Sequence, residues 1–490
     1  MSARRLLRNM ASVTVLRLGI AAFNFALFWL LSHRLGAAEL GGFSVLMSVF
    51  FLLQTWPLLG VHAHITRGVA TQPQNSAVWM KRALVFGTPW AGVLTVGLVA
   101  YGLTMAPEAL RVSYVLLGFA MWPTLAVQAA ESTLIGAEHV QPITLINLGE
   151  AAWRVVSAWA VCQWGGGLTG LFLCFLLGRW AVALAYAREP MLRGAPWPSW
   201  RGLWDGSNSD LREMLTQAPT YMGLAVLIAV ATRIDILLLA KLLGLEQVAV
   251  YATAVRLNDA VLMVSTMSLI VIYPVLSRLF LSDQLAFGEV LGRCLRWGLL
   301  LGFPLVMVGV AVSPILVRGL FAPSLHGAAP VLQVLLLSAW WMTLDQLLST
   351  TMLAAKAQKQ DLQSMSIGVV VLLAGLLGLS LAFGLMGAAA GVVLAVALRV
   401  MWRLRWASRQ LAVTGLLPLA VRVWVAASLS FGLFWHVQAG AVSVGKEAMA
   451  LLAAWALYAA LVWLLGAWTP AHRQDGQWLH QLWLDKRRAA

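Results

Sequence analysis

Apolar stretches of about twenty residues follow one another along almost the whole chain, separated by short polar breaks. Wound as a helix, a run of that length matches the hydrocarbon thickness of a bilayer. The pattern predicts fourteen membrane-spanning helices. The first six are Val13–His33, Phe43–His62, Ala83–Met105, Val112–Ile135, Ile143–Gln163 and Leu168–Ala187. The next six are Pro219–Lys241, Ala249–Pro274, Leu291–Val312, Val331–Leu353, Leu362–Phe383 and Leu385–Met401. Pro418–His436 and Ala448–Trp468 complete the set. The runs are continuous rather than alternating with period two, which argues against a membrane β-barrel. Prolines within spans (Pro57, Pro89, Pro123, Pro274 and Pro304) mark expected bends.

Two pairs of segments overlay. Leu30–Ser44 (LLSHRLGAAELGGFS) aligns with Leu238–Ala252 (LLAKLLGLEQVAVYA), and Leu134–Gln141 (LIGAEHVQ) with Leu353–Gln360 (LAAKAQKQ). Both matches join spans at the same place in each half. The expected architecture is an all-α polytopic membrane protein with two pseudo-symmetric six-helix lobes, plus two extra C-terminal helices. The repeat is parallel, about an axis along the membrane normal. The domain reading is 1–187 for the first lobe, 188–217 for a cytosolic inter-lobe loop, 218–405 for the second lobe, and 406–490 for the last two spans and tail. In the loop, Pro196–Trp204 is Pro/Trp-rich, and Asp210 with Glu213 three residues on reads as a helix start.

Composition agrees with the pattern. The 490 residues are 61% apolar and 11% charged, with a mean hydropathy of +0.82. A large soluble enzyme does not need that much apolar sequence. The formal net charge of +15 is read by position rather than as a nucleic-acid signal. Of the 34 basic residues, Arg34, Arg111, Lys241, Arg318 and Lys446 fall on one side's connections. The others lie in the opposite loops, the termini, or within spans and at their ends. Both termini are therefore expected in the cytosol, and the N-terminal apolar run is read as a retained span rather than a cleaved signal. The tail, Gln477–Arg488, carries Trp and Leu at helical spacing before three basic residues, as an interfacial helix does. Cys162, Cys174 and Cys294 lie inside apolar runs and form neither a disulfide framework nor a metal spacing.

The informative residues are the charges inside spans, where each costs a few kcal/mol and is a functional hypothesis by default. Arg233 and Asp235 lie two apart in span seven, on different helix faces, so each needs a partner elsewhere. Arg256 and Asp259 share a face in span eight and are suited to pair with each other. Glu150 and Arg154 are four apart in span five and read as a self-satisfied pair. Arg17 and Asn24 share a face of span one, from which Arg17 can also snorkel to the surface. Glu131 and Asp345 have no basic residue within a turn and read as protonated or cation-binding. Trp340 and Trp341, just ahead of Asp345, would suit a sugar-stacking surface. His62, His64 and Arg67 end span two and fit a solvated helix end. No nucleotide-binding Gly-rich loop, HExxH or outside catalytic carboxylate pair is present, so no enzyme is expected.

At TRIDILLLAKLLGLEQVAVYATAVRL, HRLGAAELGGFSVLMSVFFLLQTWPLLGVHAHITRGVA and YPVLSRLF the chain resembles the polysaccharide transporter family, the Wzx-type O-antigen flippases. The resemblance is most specific over residues 13–70 and 219–280 and looser after 400. It places the chain beside the lipid II flippase and the multidrug exporters, with two lobes around a central cavity. It implies export of an undecaprenyl-pyrophosphate-linked oligosaccharide across the bacterial inner membrane by alternating access, coupled to Na⁺ or H⁺, without cofactor, metal or nucleic acid. Membrane lipids and the pathway's polymerase and chain-length proteins are the implied partners. The family places charged cavity residues at Arg17, Arg233, Asp235, Arg256 and Asp259. The candidate substrate contacts are Arg17, Asn24, Arg67, Arg233 and Arg256. The candidate coupling residues are Asp235, Asp259, Asp345 and Glu131. A multidrug-type cation antiporter of the same fold, for which an acid-dominated cavity is expected, is the first alternative. A polytopic glycan polymerase or glycosyltransferase is the second.

Overall fold

The computed structural model describes residues 3–192, 209–355, 357–410, 415–438 and 444–468. Among these, every regular element is helical. Hydrocarbon offers no water to backbone groups, and a helix satisfies them within its own segment. In chain order the helices are α1 (Ala3–Arg34), α2 (Ala37–Leu53), α3 (His62–Thr71), α4 (Ser76–Thr104), α5 (Arg111–Phe119), α6 (Met121–Gly136), α7 (Val140–Gln163) and α8 (Gly167–Ala187). Then come α9 (Ser209–Leu242), α10 (Leu245–Ser282), α11 (Gln284–Leu320), α12 (Ala328–Ala354), α13 (Gln358–Gln410), α14 (Leu416–Gln438) and α15 (Val444–Leu464). The Pro/Trp-rich part of the expected loop and the amphipathic tail Gln477–Arg488 lie outside the described residues.

Seven helical stretches are long and apolar enough to cross a membrane, and a pair bent by 40°, Glu108–Phe119 with Met121–Gly136, adds an eighth. The chain is an integral membrane protein. The expected count of fourteen counted apolar runs, and length with apolarity alone does not reach it among the described residues. One reason is visible in α13. Gly384, at φ +57° and ψ −137°, interrupts the helix where the sequence places the break between spans eleven and twelve. Such a backbone is open essentially only to glycine. The two arms return side by side: a Cβ on Gly375 would lie 3.0 Å from the Gly391 Cα. Span two breaks as Pro57 predicts. A short 3-10 turn, Trp56–Leu58, ends it, and Leu59 and Gly60 take positive φ before α3 begins. His62, His64 and Arg67 therefore stand on a separate short helix rather than at the end of span two.

The paired segments fold alike. α1 ends at Arg34 and α2 starts at Ala37; α9 ends at Leu242 and α10 starts at Leu245, the same break at the same positions of the aligned segments. The second pair places the α6–α7 and α12–α13 breaks in register to within about a residue.

Contacts divide the chain into two compact units, Met1–Ala252 with Leu320–Leu325, and Thr253–Gly319 with His326–Ala490. In the first, α1 packs on α7, α4 on α5 and α6, and α2 on α9. A side chain at Gly41 of α2 would collide with the backbone carbonyl of Leu245, so glycine permits this approach. In the second unit α12 packs on α13 and α14 on α15, and the Tyr458 hydroxyl of α15 donates to the Leu300 carbonyl of α11 at 2.9 Å.

Candidate functional site

In the first unit the charged groups gather on α6, α7, α8 and α9. Glu150 of α7 is 5% exposed. Its Oε1 accepts from Arg154 Nη2 at 2.8 Å, and Arg179 Nη1 of α8 reaches its two oxygens at 3.3 and 3.2 Å. The expected Glu150–Arg154 pair is present, yet it is one side of a three-member cluster. Arg179 went unrecognised in the sequence, although a lone cation inside the apolar run FLLGRWAV is the signal that singles out Arg233.

Aromatic rings extend this cluster toward α9. Arg179 lies 5.7 Å from the centre of the Phe50 ring and Arg154 5.9 Å from Phe175. Phe50 and Phe175 meet edge to face at 4.9 Å. The next residue on α2, Phe51, lies under the Arg233 guanidinium at 5.2 Å. A cation over a ring face gains about 0.5–2 kcal/mol, more where water is excluded. Neighbouring rings of α2 thus hold cations from α8 and α9. Arg233 is half-buried, nine residues before the end of α9. Asp235, also half-buried, accepts the Tyr251 hydroxyl of α10 at 2.9 Å on Oδ2. Its Oδ1 accepts the Ile236 amide at 2.8 Å.

Glu131 of α6 has a different environment. Its Oε1 accepts from Asn147 Nδ2 of α7 at 2.9 Å and from the Tyr186 hydroxyl of α8 at 3.2 Å. Among the described residues no basic side chain pairs with it.

The second unit holds a separate cluster where α12 meets both arms of α13. Asp345, 6% exposed, accepts from Arg399 Nη2 at 2.6 Å on one oxygen and from Arg403 Nη1 at 2.8 Å on the other. Arg403, 2% exposed, also donates to the Asp345 carbonyl at 2.8 Å and through Nε to Ser364 Oγ at 2.8 Å. Its Nη2 meets Asp361 at 2.7 Å, and Ser349 Oγ donates to the other Asp361 oxygen at 3.2 Å. Asp345 is therefore ion-paired on both oxygens rather than alone: its partners lie 54 and 58 residues on, brought back by the turn at Gly384. Nothing near Asp345 in the sequence points to them, although Arg399 and Arg403 are four apart on one face.

The remaining candidates lie on α1, α3 and α10. Asn24 is half-buried on α1, and the Arg17 side chain lies outside the described residues. Arg67 is exposed on α3. Arg256 and Asp259 are half-buried on α10, and each has a partner. Trp340 and Trp341 do not form a sugar-stacking surface. They are 4% and 1% exposed, their ring centres stand 4.7 Å apart, and Trp340 Nε1 donates to the Gly298 carbonyl at 3.0 Å. Buried rings have no face to offer a glycan. The three cysteines are half-buried and free, and no group of His, Cys, Asp and Glu among the described residues is suited to hold a metal.

The fold is known. The lipid II flippase MurJ in an inward closed conformation superposes with a TM-score of 0.69 at 12% identity, over 92% of this chain and 98% of that one. An inward-facing multidrug resistance MATE transporter of the MOP superfamily gives 0.61 at 16% identity, over 82% of this chain and 99% of its own. A variant of the Vibrio cholerae MATE transporter VcmN gives 0.52 at 14%, over 82% and 99%. Comparison with curated proteins returns no match. Residues 6–280, more than half of the chain, match the model of the polysaccharide biosynthesis protein family. The chain, an all-α membrane protein with the architecture of lipid and drug exporters, belongs to the polysaccharide biosynthesis protein family.

Proposed function

We propose that the chain is a flippase that carries a polyprenyl-pyrophosphate-linked oligosaccharide from the cytosolic to the outer leaflet of a bacterial inner membrane by alternating access, coupled to H⁺ or Na⁺. The observation that carries this reading is Arg233, a guanidinium half-buried in α9, nine residues before its end, and stacked on Phe51. A group that expensive to keep in hydrocarbon fits an anionic cargo, and its planar fork is suited to two phosphate oxygens at once. Family membership supports a polysaccharide pathway, and the fold supports transport rather than catalysis. Arg17, Asn24, Arg67 and Arg256 are the further substrate candidates. Of the coupling candidates, Glu131 is the best suited to take a proton. Its partners are a hydroxyl and an amide, and protonation breaks no ion pair. Asp235 and Asp259 follow it; Asp345, ion-paired on both oxygens, comes last. Cytosolic termini, and work alongside a polymerase and a chain-length protein, belong to the same reading.

The test is surface glycan restored to a strain lacking its own flippase. Arg233→Ala is expected to abolish surface glycan with normal membrane abundance. Arg233→Lys, which keeps the charge and loses the fork, is expected to retain only a small part. Full restoration by an abundant Arg233→Ala chain would remove the phosphate role. The likeness to MATE transporters favours a second reading, a cation-coupled drug exporter of the same fold. Drug resistance conferred without any effect on surface glycan would select it.

A further inference from the structure

The two arms of α13 run level with each other from the turn at Gly384 toward their far ends. A Cβ on Gly368, 16 residues before the turn, would lie 3.1 Å from Arg399 Cδ, 15 residues after it. Arg403 Nε, 19 residues after the turn, donates at 2.8 Å to Ser364 Oγ, 20 residues before it. Equal spacing from Gly384 on either arm therefore means equal depth. Between Leu362 and Leu398 the hairpin carries no charged residue, and beyond those limits the charge is one-sided. Over residues 356–410 six cations face a single carboxylate, Asp361. Asp361 is taken by Arg403 at 2.7 Å, and Asp345 of α12 holds Arg399 and Arg403 at 2.6 and 2.8 Å. Lys359, Arg405 and Arg409 are exposed, and none has an ion pair among the described residues.

Depth identifies what these cations meet. Arg405 and Arg409 lie 21 and 25 residues past Gly384, and Lys359 lies 25 residues before it. At about 1.5 Å per residue the two arginines stand roughly 32 and 38 Å from the turn, just beyond a hydrocarbon core about 30 Å thick. Trp402 and Trp406, at roughly 27 and 33 Å, straddle that boundary, the level at which indoles collect. Trp402, Arg405, Trp406 and Arg409 also share one stripe of the helix, three and four residues apart. Burial agrees with that stripe. Its arginines are exposed and its tryptophans half-buried, while Arg403, Leu404 and Ala407 are buried on the opposite face. Read from the turn outward, the stripe offers apolar rings first and guanidinium groups next. A phospholipid presents the complementary order, chains first and phosphate next. A guanidinium can hold two phosphate oxygens at once, and Lys359 adds a cation at the depth of Arg409.

We infer that the open end of the α13 hairpin binds the headgroup of an anionic phospholipid, with Arg405 and Arg409 on its phosphate, Lys359 beside them, and Trp402 and Trp406 at the level of its glycerol. The site is separate from the buried charge clusters and does not depend on what the protein transports. Native mass spectrometry of the full chain in detergent, with phosphatidylglycerol and phosphatidylethanolamine as equimolar probes, tests it. The wild type is expected to retain phosphatidylglycerol in preference, and to lose that preference as ammonium acetate is raised. Lys359→Gln, Arg405→Gln and Arg409→Gln together are expected to lower phosphatidylglycerol retention on the order of tenfold. Phosphatidylethanolamine retention and lipid-free Tm should stay unchanged, because no ion pair is lost. Arg405→Gln with Arg409→Gln repeats the test if the triple variant does not accumulate. Arg34→Gln, Lys241→Gln and Arg318→Gln together remove the same charge from exposed positions elsewhere and are expected to leave retention at the wild-type level. Equal losses in the two triple variants would mean that net charge alone sets retention, and would overturn the site. Undiminished retention in the first triple variant overturns it too, as does a wild type that retains both lipids equally.

Discussion

Glu150 and Glu131 with Arg154 and Arg179 in the first compact unit, and Asp345 and Asp361 with Arg399 and Arg403 in the second, are connected differently. In the second unit Asp345 takes both arginines, and Arg403 goes on to Asp361, so the charges form one closed set joining α12 to both arms of α13. In the first unit both arginines converge on Glu150, and Glu131 is left to the Tyr186 hydroxyl and the Asn147 amide. The difference has a physical consequence. An ion pair in a low-dielectric interior holds both partners charged, because neutralising one strands the other. A carboxylate held by neutral donors can gain a proton and keep its place. The second cluster is therefore suited to fastening helices, and under the proposed coupling Glu131 of the first is the candidate to take the proton.

Asp345→Ala gives the largest expected effect. It strands Arg399 and Arg403 beside a lone Asp361, and removing one side of a buried pair costs about 3–5 kcal/mol. Membrane abundance and Tm should fall together; an abundant, thermally unchanged variant would show that the second cluster fastens nothing. Arg179→Met comes next. Glu150 keeps Arg154, so the expected loss is smaller, about 2–3 kcal/mol, with Tm again the measure. Glu131→Gln separates the two units most clearly. Its amide can still accept from Asn147 and Tyr186, so stability should change by less than about 1 kcal/mol. The pH dependence of lipid-linked glycan transport in proteoliposomes should flatten. A profile that keeps the wild-type shape assigns coupling to another carboxylate, Asp235 first. Phe51→Leu is the mildest change. It removes the ring under Arg233, worth about 0.5–2 kcal/mol, and should lower transport a few-fold with Glu150 and its arginines undisturbed, as seen in Tm.

Where the sequence was legible, a local pattern carried the information. The apolar runs, the bend at Pro57 and the break at Gly384 all follow from neighbouring residues. So does the paired placement of the α1–α2 and α9–α10 breaks, because aligned segments with aligned apolar pattern start and stop helices alike. Within the candidate site, intramembrane cost alone singled out Arg233, Asp235, Glu131 and Asp345. Their partners escaped notice because Arg399 and Arg403 lie a whole hairpin away from Asp345, and Tyr186 lies 55 residues from Glu131. Trp340 and Trp341 misled for the same reason, since adjacency to Asp345 along the helix says nothing about which neighbour covers the rings.

By itself, the sequence determined that this chain crosses a membrane many times, that its halves resemble each other, and that certain charges sit where hydrocarbon penalises them. Those are properties of residues and of spacing along one helix. The tertiary structure decided what each charge meets. It closed Asp345 into an ion-paired set, gave Glu131 neutral donors, and laid Arg233 on Phe51. In a low-dielectric interior the identity of a charged group fixes its cost, but only its neighbours decide whether that group fastens, binds or takes a proton.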